Sequence, residues 1–166
     1  MADKSVMQQL LRRIIRVGKV AEDLDLPEEA ISTASALANG SIKMRHVDCG
    51  SCNGCEVELS MCFSPIYDLE RFGISLTASP RHADGLLVTG IVTMNMEGPL
   101  LDAYKAVPSP KVVIGIGDCA CDGGSFSESY AYAGSCEDYF DAALKIPGCP
   151  PEPTDIIRAI RRISAR

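Results

Sequence analysis

Lys111-Val112-Val113-Ile114-Gly115-Ile116-Gly117-Asp118-Cys119 starts as a near-continuous apolar run and then breaks into glycine, acid and thiol. A short run that is apolar at nearly every position fits a strand covered on both faces, and such strands belong to parallel sheets flanked by helices. Gly85-Leu86-Leu87-Val88-Thr89-Gly90 has the same character, and Ile74-Ser75-Leu76-Thr77-Ala78 supplies a third strand candidate. Helical patterns lie between and around them. Glu56 to Arg71 reads as a helix stopped at Gly73, and Met96 to Ala106 as a second with Leu100, Leu101 and Tyr104 on one face. Pro153-Thr154-Asp155 opens a terminal helix whose Arg158, Arg161, Arg162 and Arg166 complement its dipole. Strands alternating with helices give parallel βαβ units, hence an α/β fold. Ligands of such sheets lie beyond the carboxyl ends of the strands, which is where Asp118 and Cys119 fall.

Cys119 is one of eight cysteines, at 49, 52, 55, 62, 119, 121, 136 and 149. In Asp48-Cys49-Gly50-Ser51-Cys52-Asn53-Gly54-Cys55-Glu56 small turn-forming residues separate the thiols, so a tight loop can aim successive sulfurs inward and leave backbone N–H groups facing them. Such concavities stabilise the negative charge of a thiolate-ligated centre. Pro147-Gly148-Cys149-Pro150-Pro151 holds another thiol in a turn that cannot be helical, and Cys-Pro is a recurring iron–sulfur context. Three loops at one end of a sheet can thus bring four sulfurs to one point. Spacing leaves iron–sulfur, zinc and buried reduced thiols open, since a Cys-x-x-Cys knuckle suits either metal. It favours iron–sulfur, because zinc usually draws a second close pair. Gly115-x-Gly117-x-x-Ala120 also fits a dinucleotide fingerprint, but Gly123-Gly124 would break the helix that motif needs.

Composition narrows the class. The chain has 166 residues, 46% of them hydrophobic and 23% charged, the balance of one globular domain rather than of a disordered chain. No uncharged run approaches the roughly twenty residues of a spanning helix. A net charge of −6 disfavours binding to nucleic-acid phosphates. Arg12-Arg13 is followed by no apolar export segment, so a reducing, cytoplasmic setting is expected, with thiols reduced or metal-bound. Residues 1–20 carry five basic side chains and one acidic, +4, leaving −10 for the rest. Met7, Leu10, Leu11, Ile14, Val17, Ala21 and Leu24 fall on one helical stripe opposite Arg12, Arg16 and Lys19. Residues 1–40 are therefore expected to form an amphipathic helix and a linker, ahead of an α/β domain over 41–166.

Taken jointly, several segments resemble a known family: Cys52-Asn53-Gly54-Cys55-Glu56-Val57-Glu58, Ser64-Pro65-Ile66-Tyr67-Asp68, Glu70-Arg71-Phe72-Gly73, Ser79-Pro80-Arg81-His82-Ala83-Asp84, Gly117-Asp118-Cys119-Ala120 and Pro147-Gly148-Cys149-Pro150-Pro151. In this order, over about residues 45–160, they resemble the 20 kDa subunit family, which comprises the small subunits of [NiFe] hydrogenases and the corresponding subunit of respiratory complex I. The resemblance implies a flavodoxin-like α/β domain holding one [4Fe–4S] cluster, and carries the ligand positions onto Cys52, Cys55, Cys119 and Cys149. The spaced Cys52–Cys55 pair, in place of the tandem cysteines of complex I, looks like energy-converting membrane-bound hydrogenases and formate hydrogenlyase-type complexes. The chain would then be an electron-transfer subunit without a catalytic residue of its own. Its expected partners are a [NiFe]-hydrogenase-type large subunit, a ferredoxin-like multi-cluster subunit and membrane-arm subunits, assembled peripherally on the cytoplasmic face of the membrane. The alternatives are a quinone-reducing complex I-like or sulfur-reducing relative and, from another class, a zinc-stabilised binding module. Glu58 and Arg81 match family motif residues, with an ion pair as the plainer reading. His82 is expected to be a hydrogen-bonded structural histidine. Cys49, Cys62, Cys121 and Cys136 remain unassigned, with Cys62 expected to pack as a small apolar group.

Overall fold

The computed structural model describes residues 41–140 and 144–164, so the amphipathic helix and linker expected within residues 1–40 lie outside the described residues. In chain order the elements are β1 (Ile42–Asp48), α1 (Gly54–Cys62), β2 (Ile74–Leu76), β3 (Gly85–Thr89), β4 (Val92–Thr93), α2 (Glu97–Ala106), β5 (Val112–Ile116), α3 (Asp118–Asp122), β6 (Tyr132–Gly134), α4 (Cys136–Tyr139), β7 (Leu144–Ile146) and α5 (Pro153–Ser164). Five strands pair in parallel in the order β2-β1-β3-β5-β7, while β4 and β6 form a separate antiparallel ribbon. This is the flavodoxin-like strand order, whose reversal between β1 and β3 opens a crevice at the carboxyl ends of the strands.

The two faces of the sheet explain its apolar runs. Met44, Leu87 and Ile114 meet Leu59 of α1 and Ile156, Ile160 and Ile163 of α5 on one side. Leu86, Val88 and Val113 meet Leu100 of α2, Val107 and Phe140 on the other. Every residue of β3 and β5 is buried, as strands covered on both faces must be. Gly85 is needed where β3 passes β5, since a Cβ there would come 2.4 Å from the Val112 carbonyl oxygen.

The helix expected over Glu56–Arg71 is shorter. It runs from Gly54 to Cys62, and the chain turns before a short 3₁₀ segment, Leu69–Phe72. Pro65 accounts for the break: it has no N–H to donate and disfavours helical geometry at the residue before it. Gly73 does end the segment, in a left-handed conformation at φ 77°.

Candidate metal centre

Three strand ends converge on one small cavity. The loop after β1 is shaped by Asp48, whose Oδ1 accepts N–H bonds from Gly50 and Ser51, each 2.9 Å. Burial works against ionisation of Asp48, but these two bonds, together with the Ser51 hydroxyl and His46, outweigh it and hold the carboxyl below its usual range. Asn53, left-handed at φ 71°, then turns the chain into α1 and sets Cys55 in its first turn. The loops after β5 and β7 are tied reciprocally: the Asp118 N–H donates to the Gly148 carbonyl at 2.9 Å, and the Gly148 N–H donates to Asp118 Oδ1 at 2.6 Å. A third bond, from Gly117 N–H to the Ile146 carbonyl at 2.8 Å, extends the β5–β7 pairing into these loops.

Cys52, Cys55, Cys119 and Cys149 all line the resulting cavity of about 80 Å³, together with Gly54, Gly90, Asp118 and Gly148. Cys55 is buried at its floor, Cys119 is half-buried, and Cys52 and Cys149 stand exposed at its mouth. Burial, then the charges of Glu56, Cys119, Cys52 and Cys149, push the Cys55 thiol up to about 12. Burial followed by Cys149 and Cys52 raises Cys119 in the same way. Burial and neighbouring thiolate charge thus disfavour ionisation of Cys55 and Cys119, and loading a metal there would release their protons.

The other four thiols are elsewhere. Cys49 and Cys136 are fully buried in the core, each pushed up to about 12 mainly by burial. Cys121 turns its sulfur toward the Gly115 carbonyl, 3.8 Å away. Cys62, buried on α1, donates to the Glu58 carbonyl at 3.3 Å, in keeping with its expected packing role. Glu58 and Arg81 do not line the cavity, and Arg81 is exposed on a 3₁₀ turn, Pro80–His82. His82 is exposed as well, so the structural histidine is the other one, His46.

A family model described as NADH ubiquinone oxidoreductase, 20 Kd subunit, matches residues 52–163. The chain belongs to this 20 kDa subunit family. Within it, formate hydrogenlyase subunit 7 of Escherichia coli (strain K12) is 44% identical over 130 residues, covering 76% of this chain and 51% of its own length. The chain thus spans about half of that relative. The probable membrane-bound hydrogenase subunit mbhJ of Pyrococcus furiosus is 44% identical over 115 residues, 69% of each chain. Among solved structures, a chain of the membrane-bound sulfane sulfur reductase, an archaeal respiratory membrane complex, superposes with a TM-score of 0.67 at 29% identity, covering 82% of this chain and 75% of that one.

In this member of the 20 kDa subunit family the donor set suits an iron–sulfur cluster. Four soft thiols face one cavity, and the one carboxylate at its wall already accepts a backbone N–H. A dinucleotide or flavin needs a pocket of roughly 300–1,000 Å³, far larger than this one. The five-residue α3 that follows Gly117 is also too short to serve the fingerprint reading. A zinc ion, with Zn–S about 2.3 Å, would need its sulfurs drawn tightly together.

Beside the cavity lies a pair that spacing does not reveal. Both carboxylate oxygens of Glu56 are shielded from solvent without a hydrogen-bond partner, and Oε1 is 3.8 Å from His46 Nε2. The same nitrogen is 2.9 Å from Thr89 Oγ1. Burial holds His46 below its ordinary 6.5, against the raising influence of Glu56 and Asp48. A histidine with a depressed folded pKa binds fewer protons folded than unfolded, so stability is full above the unfolded value and falls as pH drops below it. Melting of the metal-free chain from about pH 7.5 to about pH 5.5 should therefore show a loss that His46→Gln reduces. Superimposable pH profiles for the two proteins would refute this assignment.

Proposed function

We infer that this chain is an electron-transfer small subunit of a membrane-bound [NiFe] hydrogenase complex. In this reading it holds one [4Fe–4S] cluster on Cys52, Cys55, Cys119 and Cys149, and relays electrons to or from the nickel–iron site of a large subunit that interconverts protons and H2. The observation that carries it is the delivery of four thiols from three loops to one cavity at the carboxyl end of a parallel sheet. When bound, such a cluster supplies a one-electron carrier whose potential is set by charge, burial and hydrogen bonds to sulfur.

The protein's own contribution is to hold and shield. Cys55 is buried on the inner wall with Cys119 half-buried beside it, and Asp118 keeps the Cys119 and Cys149 loops at fixed separation. Cys52 and Cys149, at the open side, mark where a large subunit would approach. Exposed Phe126 and Tyr130, in the segment after α3, provide apolar surface for such a partner, Tyr130 being 93% exposed. The hydrogenlyase and hydrogenase relatives support this class of complex, with a ferredoxin-like multi-cluster subunit and membrane-arm subunits as further partners. Among the described residues no helix is long and apolar enough to cross a membrane. In this reading the partners hold the chain at the cytoplasmic face. A second reading, a sulfur- or quinone-reducing complex, is favoured by the match to the sulfane sulfur reductase chain.

Anaerobic purification followed by metal analysis and EPR tests the cluster. About four iron atoms per chain and a signal on reduction are expected. Zinc without a reducible signal would overturn the reading in favour of a non-redox module. Nickel in the co-purified large subunit separates the hydrogenase from its sulfur- or quinone-reducing relatives.

A further inference from the structure

On the sheet face away from α2, a groove of about 200 Å³ runs between the 3₁₀ segment Leu69–Phe72 and α5. Its floor is apolar, with Phe72 and Ile157, and Ile66 stands at its rim 78% exposed. Its walls are basic: Arg71, Arg158 and Arg161 line it, and among the described residues no acidic side chain does. The Arg71 and Arg161 guanidiniums lie 4.6 and 4.3 Å from the Phe72 ring centroid, and Asp155 Oδ1 accepts from Arg158 Nη1 at 3.2 Å. A groove with an apolar floor, arginines on its walls and an exposed isoleucine at its rim matches a short acidic segment carrying apolar side chains.

We propose that the occupant is the chain's own stretch Glu22-Asp23-Leu24-Asp25-Leu26-Pro27-Glu28-Glu29. Residues 21–40 carry five acidic side chains and no basic one, all five within these eight positions, with Leu24 and Leu26 between them. The chain path places the segment within reach. The Ile42 N–H donates to the Gly73 carbonyl at 2.8 Å, so the polypeptide preceding β1 departs one residue from Phe72, at the edge of the groove. Residues 30–41, twelve in number, link Glu29 to β1 and span up to about 40 Å when extended, enough to turn back onto any part of the groove. Tethering on so short a linker gives an effective concentration in the mM range, which a separate acidic protein would have to exceed. Docking there would anchor the start of the chain on the side of the domain formed by α5, and so fix the direction in which the basic residues 1–20 leave it.

Hydrogen–deuterium exchange on the full chain, alone and in its complex, tests the proposal. Reversing Asp25, Glu28 and Glu29 to lysine should speed exchange several-fold in segment 66–72 and in the first turns of α5, and leave β3 and β5 unchanged. Arg71→Glu with Arg158→Glu should speed exchange of residues 22–29, and combining both charge reversals should restore part of the protection. The acidic-segment variant leaves the described domain untouched, so it remains informative if the arginine variant fails to fold. Groove protection that is indifferent to the segment's charge overturns the proposal. Protection that appears only in the complex also overturns it, and assigns the groove to an acidic partner surface.

Discussion

Cys149→Ser should abolish the iron–sulfur signal while leaving the metal-free domain folded. Cys149 sits at the exposed mouth of the cavity, in a loop held by the paired Asp118–Gly148 hydrogen bonds, which involve its neighbour's backbone and not its own sulfur. Serine fits the same space, so the cost to stability is expected within about 0.5 kcal/mol. The chemistry changes far more. A hydroxyl is a harder donor and does not ionise in the range where a thiol does, so the fourth position on a cubane cluster loses its thiolate. Outer-shell changes alone cost metal sites about 10–100-fold, and loss of a ligand should cost at least the upper part of that range. Iron content and the EPR amplitude of reduced protein, compared with Cys62→Ser, read the result. Cys62 is buried at the far end of α1, about two turns beyond Cys55, with its own carbonyl partners, so its replacement should leave the cluster spectrum intact. Full iron content with an unaltered spectrum in Cys149→Ser would remove Cys149 from the ligand set.

What could be read without coordinates follows from what burial imprints on sequence. β3 and β5 are covered on both faces and therefore write uninterrupted apolar runs, and α5 announces itself by a proline and acid at its start and arginines at its end. β1 carries Lys43, Arg45 and His46 among its apolar residues because only part of it is buried, so its pattern falls below that of a core strand. β7 has three residues, too few for any periodicity. Turn-forming residues and prolines marked the three thiol-bearing segments, but it was the family resemblance, not the spacing, that picked Cys52, Cys55, Cys119 and Cys149 out of the eight cysteines. The contacts made across the assembled loops were not legible. Asp118 and Gly148 are thirty residues apart, and Glu56 with His46 ten apart on different elements, so each partnership exists only once the sheet has brought the loops together.

Gly117→Ala tests whether the cavity depends on backbone that only glycine can supply. Gly117 has φ 88° and ψ 157°, a region essentially closed to residues with a side chain, at a cost of about 1–3 kcal/mol. Space is lacking too: a Cβ at this position would come 2.5 Å from the Cys55 sulfur and 3.4 Å from the Gly148 carbonyl oxygen. Cys55 cannot simply swing away, because it is buried in the first turn of α1 against the core. Overpacking adds about 1–3 kcal/mol, so a total loss of about 2–6 kcal/mol is expected in urea unfolding of the metal-free chain. Relief would come by displacing the Cys55 sulfur or opening the Gly117–Ile146 bond, and either movement spreads the thiols. Iron incorporation should therefore fall at least about tenfold even under conditions where the variant stays folded. Gly98→Ala provides the control, since that glycine lies in α2 with nothing within 4 Å of the place a Cβ would take, and should gain about 0.5–1 kcal/mol. Wild-type stability in Gly117→Ala would contradict the backbone argument, and a destabilised variant that still loads iron fully would show that this glycine serves the fold and not the cavity.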